Sequence, residues 1–183
     1  MLPLRKVEAK RLCQVAAEQY PPQVELAFLL QSLVDPRNVG SLFRIADACG
    51  ARELVFTGRT PVPPHEEIDR TSRGHDRRIP WRQIPQIDCA ARTLKEEGYH
   101  LIALEMASGT QCYLDYPYPA KICLVLGNET KGVYASTLQH CDGAVFIPMC
   151  GKGPSMNVHV AAALVAYHAT IGRSSRTSSA PVS

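Results

Sequence analysis

The stretch Val145–Ile171, VFIPMCGKGPSMNVHVAAALVAYHATI, decides how the rest of the chain is read. Val145 to Met149 form an apolar run of strand type that stops at Gly151, Gly153 and Pro154, which punctuate a loop. A helix is expected next, starting near Ser155 or Asn157, either of which can cap free backbone N–H groups. Met156, Val160, Leu164, Tyr167 and Ile171 recur at the spacing of one helical face, and Val158, Ala162 and Val165 make the opposite side apolar too. Such a helix is expected to be buried on both sides, between its own sheet and a second body such as another subunit. Strand, glycine-bearing loop and capped helix are how α/β proteins bring a ligand close to backbone donors. A phosphate loop is a poor match, because the order G-x-x-x-x-G-K-S/T is absent and Pro154 removes a donor.

Two similar turns lie upstream. Glu25 to Leu33, ELAFLLQSL, reads as a buried strand, and Asp35-Pro36-Arg37-Asn38-Val39-Gly40 opens a helix whose apolar face is Val39, Phe43 and Ala46. Gly50 suits the end of that helix, and Leu54 to Thr57 begins another strand. The two strands of this β-α-β unit should be parallel, which puts the turn at Asn38 on the carboxyl edge of the sheet, with Arg44 on the helix. Lys121 to Leu126, KICLVL, is a further buried strand that ends at Gly127-Asn128-Glu129-Thr130-Lys131-Gly132, so Glu129 should sit at the same edge if this strand is parallel to the others. Asp88 to Gly98 reads as a helix with an acidic cap, followed by a strand through Leu101–Leu104. A short helix is expected near Tyr134 to Gln139, and the tract Ser108 to Pro119 reads as turns.

The 183 residues are 45% hydrophobic and 20% charged, which fits one soluble α/β domain with a sizeable core. No apolar run reaches the length of a membrane span, and the start MLPLRKVEAKRL lacks the apolar core of a secretion signal, so a cytoplasmic chain without membrane partners is expected. Seven cysteines, an odd number with no C-x-x-C pair, fit reduced thiols rather than disulfides or a metal site. The domain is expected over 23–172, preceded by a helical extension over 1–22 and followed by an unstructured tail over 173–183. In the extension, Arg5, Lys6, Lys10 and Arg11 read either as a solvated helical face or as an arm that touches phosphate.

A net charge of +3 does not by itself name a nucleic-acid partner, but its distribution is uneven. Between Arg59 and Arg82 lie Arg70, Arg73, Arg77 and Arg78, with His75 and Trp81 available to stack. This segment reads as a charged surface loop or as a support for an RNA backbone, with Arg73, Arg77 and Arg78 on phosphate.

Three motifs in order carry a resemblance: Asn38-Val39-Gly40 with Arg44; Leu126-Gly127-Asn128-Glu129 with Gly132; and Ile147-Pro148-Met149, Gly151 and Ser155-Met156-Asn157-Val158. Together they resemble the motifs of the SpoU (TrmH-like) branch of the SPOUT RNA ribose 2′-O-methyltransferases. That family usually has leucine at Met156 and often serine at His159, and the Asn157-Val158-His159-Val160 version resembles its eukaryotic tRNA-modifying branch. The resemblance implies a mostly parallel sheet flanked by helices, a C-terminal deep trefoil knot and a homodimer.

It also implies an S-adenosylmethionine-dependent enzyme that methylates a ribose 2′-hydroxyl, in tRNA by preference, with rRNA or a non-catalytic RNA-binding knot as alternatives. Leu104, Gly127, Ile147, Met149 and Met156 would hold the donor, and a side chain at Gly127 is expected to obstruct it. Arg44 would bind the phosphate beside the target ribose and stabilise developing alkoxide charge, since a guanidinium is a poor base at neutral pH. Asn38, Glu129, Ser155 and Asn157 would orient Arg44, the loops and the nucleotide. A Rossmann enzyme for a small substrate has little support, because the first β-α turn lacks G-x-G-x-x-G.

Overall fold

The computed structural model describes residues 3–172; the expected tail at 173–183 lies outside the described residues. The elements in chain order are α1 (Lys6–Gln19), β1 (Glu25–Gln31), α2 (Pro36–Cys49), β2 (Glu53–Thr57), α3 (Glu66–Ser72), β3 (Trp81–Gln83), α4 (Ile87–Glu96), β4 (His100–Leu104), β5 (Gln111–Cys112), β6 (Lys121–Leu126), α5 (Ala135–Leu138), β7 (Gly143–Phe146) and α6 (Val158–Thr170). The strands form one sheet in the order β3-β2-β1-β6-β4-β7-β5. Every pairing in it is parallel.

Parallel strands need crossover helices, and those helices cover both faces. That is why β1 and β6 read as continuous apolar runs: apart from Glu25 and Lys121 at their starts, every residue in them is buried. The two-residue period of a strand then divides them between two cores. Leu26, Phe28, Leu30, Ile122, Leu124 and Leu126 pack with α2, α3 and α6. Ala27, Leu29, Cys123 and Val125 pack with Ala90, Ala91 and Leu94 of α4. Aromatic contacts extend the first core, Phe56 lying 5.9 Å from Phe43 and edge-on to Trp81 at 5.6 Å.

Local chemistry sets the helix starts. The Asp35 carboxylate caps α2 by accepting from Arg37 N, and Pro36 occupies its first turn. Asn157, rather than Ser155, caps α6, accepting from His159 N at 3.1 Å. The acidic cap expected for α4 is not used; the helix begins after Gln86 without a side-chain cap. The strand expected over Val145–Met149 ends at Phe146, because Ile147 onward leaves the sheet to form the loop. Strands β3 and β5 are too short to show a period, and they lie at the sheet edges.

Of the two apolar faces of α6, the fold of the single chain covers one. Ala162, Val165, Ala166 and Ala169 are buried against α2 and the sheet, whereas Val160, Leu164 and Tyr167 remain 43%, 42% and 42% exposed. Helix α1 buries no residue, and its Val7, Leu12 and Val15 face solvent. No helix among the described residues is long and apolar enough to cross a membrane. None of their His, Cys, Asp and Glu side chains form a group that could hold a metal ion.

Candidate active site

The loops after β1 and β6 meet because those strands are neighbours with matching register, Leu30 opposite Leu126. Their tie is polar and specific. The Glu129 carboxylate accepts from Val34 N at 2.9 Å, Asp35 N at 3.1 Å and Asn38 Nδ2 at 2.9 Å, so it holds the first turn of α2. Asn128 Nδ2 donates to Ser32 O at 2.8 Å while its Oδ1 accepts from Thr130 N and Lys131 N. Gln31 Oε1 accepts from Tyr134 N at 2.8 Å, closing the far end of the same loop. Burial pushes the Glu129 carboxyl up, but the hydrogen bonds from Asn38, Val34, Asp35 and its own backbone outweigh it and hold it below the ordinary carboxylate value.

The loop Gly127–Val133 is also clamped from β4. Glu105, the residue after that strand, accepts from Val133 N at 2.7 Å and from Met106 N at 2.8 Å. Its carboxylate lies against Gly132, whose positive φ of 65° and lack of a side chain both suit that approach. At Gly127 a Cβ would come within 2.2 Å of the backbone at Gly132 and Val133. The glycine is therefore required by the loop's own closure as well as lining the cleft.

Above the carboxyl ends of β6, β4 and β7, consecutive in the sheet, opens a cleft of about 880 Å³. Leu104, Gly127, Ile147, Met149 and Met156 all line it, and so do Glu129, Ser155 and Asn157. Leu126, Met106 and Leu138 add apolar wall. Asn38 is buried behind the cleft, donating to Glu129 and facing His159 Nδ1 at 3.0 Å through its Oδ1. Burial pulls the His159 ring down from its ordinary value, with Asp35 acting against it.

Arg44 is apart from this group. It is exposed on α2, does not line the cleft, and its side chain has no hydrogen bond or ion pair among the described residues. The arginine segment is less free than its composition suggests. Arg70 pairs with Glu67, Arg77 with Asp69 at 2.6 Å, and Arg82 with Glu53 and Glu97. Arg73 and Arg78 are exposed without a carboxylate partner among the described residues.

Sequence reasoning did not single out Glu105 or Gln31, and it quoted Asn128 and His159 within motifs without giving either a role. A carboxylate just past a strand end was the available signal for Glu105; the others show only once the loops are side by side. Of the cysteines, Cys49 and Cys141 are pushed up by burial to about 11 and about 12, so both are protonated, poorly nucleophilic thiols at neutral pH.

An all-parallel sheet covered on both faces, with a half-apolar cleft across three strand ends, defines an α/β protein that takes its ligand at the carboxyl edge. The chain belongs to the SpoU rRNA Methylase family, which matches residues 25–167. It is 32% identical over 162 residues to the 23S rRNA (guanosine(2553)-2'-O)-methyltransferase RlmP of Bacillus subtilis, covering 85% of this chain and 64% of that one. It is 31% identical over 147 residues to the tRNA (guanosine(18)-2'-O)-methyltransferase of Thermus thermophilus, covering 80% and 75%. Among solved structures it is similar to the SpoU methyltransferase AviRb of Streptomyces viridochromogenes in complex with AdoMet, with a TM-score of 0.75, 26% identity, and coverage of 83% of this chain and 62% of that one. The chain spans 61% of a Staphylococcus saprophyticus relative and 36% of a Synechocystis one, so it corresponds to part of several longer proteins.

Proposed function

We propose that the chain binds S-adenosylmethionine in the cleft and methylates a ribose 2′-hydroxyl of RNA. The observation that carries this reading is that Leu104 at the end of β4, Gly127 after β6, and Ile147, Met149 and Met156 after β7 line one cleft of about 880 Å³. Their chemistry fits the donor. Adenine and ribose call for backbone groups at close range, and a thioether-sulfonium chain suits the soft side chains of Met149 and Met156. When bound, the donor supplies a methyl group already activated on sulfur.

What remains for the protein is to orient the hydroxyl oxygen in line with that methyl and to stabilise the charge that develops as its proton leaves. Arg44, exposed on α2, is available to a phosphate beside the target ribose. Its register depends on Asn38 and Glu129, which fix the first turn of its helix, while Ser155 and Asn157 line the cleft where donor and nucleotide would meet. Arg73, Arg77 and Arg78 on the neighbouring surface would track the RNA backbone, Arg77 exchanging Asp69 for phosphate.

The preference for tRNA over rRNA draws on the Thermus relative, of which the chain spans the larger share. A homodimer is supported by the exposed apolar face Val160, Leu164 and Tyr167. A trefoil knot accords with the path after β7, which leaves the far side of the sheet and returns α6 to pack on α2, β1 and β6.

Titration calorimetry with S-adenosylmethionine, followed by nucleoside mass spectrometry of tRNA and rRNA incubated with donor and protein, tests the reading. Saturable one-site binding and a new 2′-O-methylnucleoside are expected. Donor binding without any methylated product would favour the non-catalytic RNA-binding alternative, and no donor binding would overturn the assignment of the cleft.

A further inference from the structure

Of the polar groups gathered behind the cleft, His159 is the one to which the reading above gives no task. It lies in the first turn of α6, half-buried, with Nδ1 3.0 Å from Asn38 Oδ1. Which group donates follows from the other side of Asn38. The Glu129 carboxylate, held ionised by its donors, can only accept, so the Asn38 amide must present its NH2 to Glu129 and its oxygen to His159. Two acceptors cannot share a hydrogen bond; Nδ1 must carry a proton. In the neutral ring, Nε2 is then the lone pair, and the Nδ1–H bond survives ring protonation because Nδ1 holds a proton in both forms.

We infer that His159 is a positioning residue: its Nδ1–H locks the Asn38 amide against rotation and, through Glu129, ties the cap of α6 to the first turn of the helix that carries Arg44. The chain of bonds is continuous. Asn157 caps α6 on His159 N, His159 donates to Asn38, Asn38 donates to Glu129, and Glu129 accepts from Val34 N and Asp35 N. A rotated Asn38 amide would set its oxygen against the Glu129 carboxylate, and repulsion would loosen the turn from which Arg44 takes its register. A donor is needed at this position, and the first turn of α6 places one against the oxygen of a buried amide.

This role rests on the methyltransferase reading, but its central bond is testable without activity. In long-range proton–nitrogen spectra of the histidine rings at alkaline pH, His159 is expected as the Nδ1–H tautomer, and Asn38→Ala should release it toward the Nε2–H form usual in water. A wild-type Nε2–H tautomer would overturn the inference whether or not the enzyme turns over. In single-turnover methyl transfer, His159→Phe, which keeps an aromatic ring but has no donor, should slow the step about tenfold to a hundredfold with donor affinity unchanged. His159→Asn, whose amide nitrogen falls where Nδ1 does, should recover most of the rate. Full rate in His159→Phe, or no recovery in a folded His159→Asn, would sink the positioning role. A wild-type chain that transfers no methyl at all would remove the methyltransferase reading and leave the tautomer result to decide the bond.

Discussion

Glu129 shows how one residue can serve stability and site geometry together. Its carboxylate accepts from two backbone N–H groups and one amide, and the net effect is a folded-state pKa below the ordinary 4.5. A depressed carboxylate stabilises the fold above its unfolded value, and that contribution is lost as pH falls through the folded value. Thermal stability of the wild type should therefore drop on acidification below about pH 4.5, and Glu129→Gln should flatten that part of the profile. At neutral pH, Gln at this position turns one amide NH2 toward a donor. A loss of about 1 kcal/mol, about 2–4 °C in Tm, is expected by calorimetry; an unchanged acid limb would mean that the carboxylate is not what ties the turn. Arg44 makes the opposite case, a side chain with no hydrogen-bond or ion-pair partner among the described residues. Arg44→Ala should leave Tm and donor affinity intact yet slow methyl transfer by at least about a hundredfold, and Arg44→Lys, lacking the planar fork, should recover little. Wild-type single-turnover rates in Arg44→Ala would reduce it to a solvated arginine.

Among elements, the loop Gly127–Val133 is where sequence and structure part company most usefully. Its place after β6 was legible because KICLVL is a continuous apolar run, and a strand buried on both faces has no other appearance. That Glu129 would reach the carboxyl edge depended on β6 running parallel to β1, which it does, and the order of the three turns was legible in their motifs. The clamp by Glu105 was not legible. It depends on β4 being the neighbour of β6, a pairing that no local pattern encodes. Nor could periodicity tell which side of α6 is buried: both faces are apolar, and the choice is made by the small residues Ala162, Ala166 and Ala169, which let α2 approach. The same clamp changes what Gly127 means. Since a Cβ there meets backbone and not a flexible side chain, Gly127→Ala is expected to open the loop, lowering Tm and weakening S-adenosylmethionine binding together, by at least tenfold, about 1.4 kcal/mol. Weakened binding at unchanged Tm would restore the simpler idea that the glycine only makes room for the donor.

At the scale of the whole molecule, two proposed contacts can be tested: RNA on the arginine segment and a second copy on α6. If Arg73 and Arg78 meet phosphate, replacing both with alanine should weaken RNA of any sequence alike and flatten the salt dependence of binding, with donor affinity unchanged. An unaltered salt slope would leave them as solvated surface.

The exposed face of α6 is the stronger structural demand. Val160, Leu164 and Tyr167 lie at i, i+4 and i+7, each more than two-fifths exposed, on a helix that otherwise buries its other side in the core. Single exposed apolar residues need no explanation, but an aligned row of three large ones on one helix is the kind of surface that a partner covers. A second copy is the proposed cover. Leu164→Glu is the discriminating change, because Leu164 is exposed in the single chain and the new carboxylate costs nothing in the core, whereas Val165→Glu would bury a charge and unfold the domain instead. In light scattering the wild type is expected as a dimer and Leu164→Glu as a folded monomer with little methyl transfer. A wild-type monomer with full activity, or a Leu164→Glu protein still dimeric at micromolar concentration, would show that this face is not the interface.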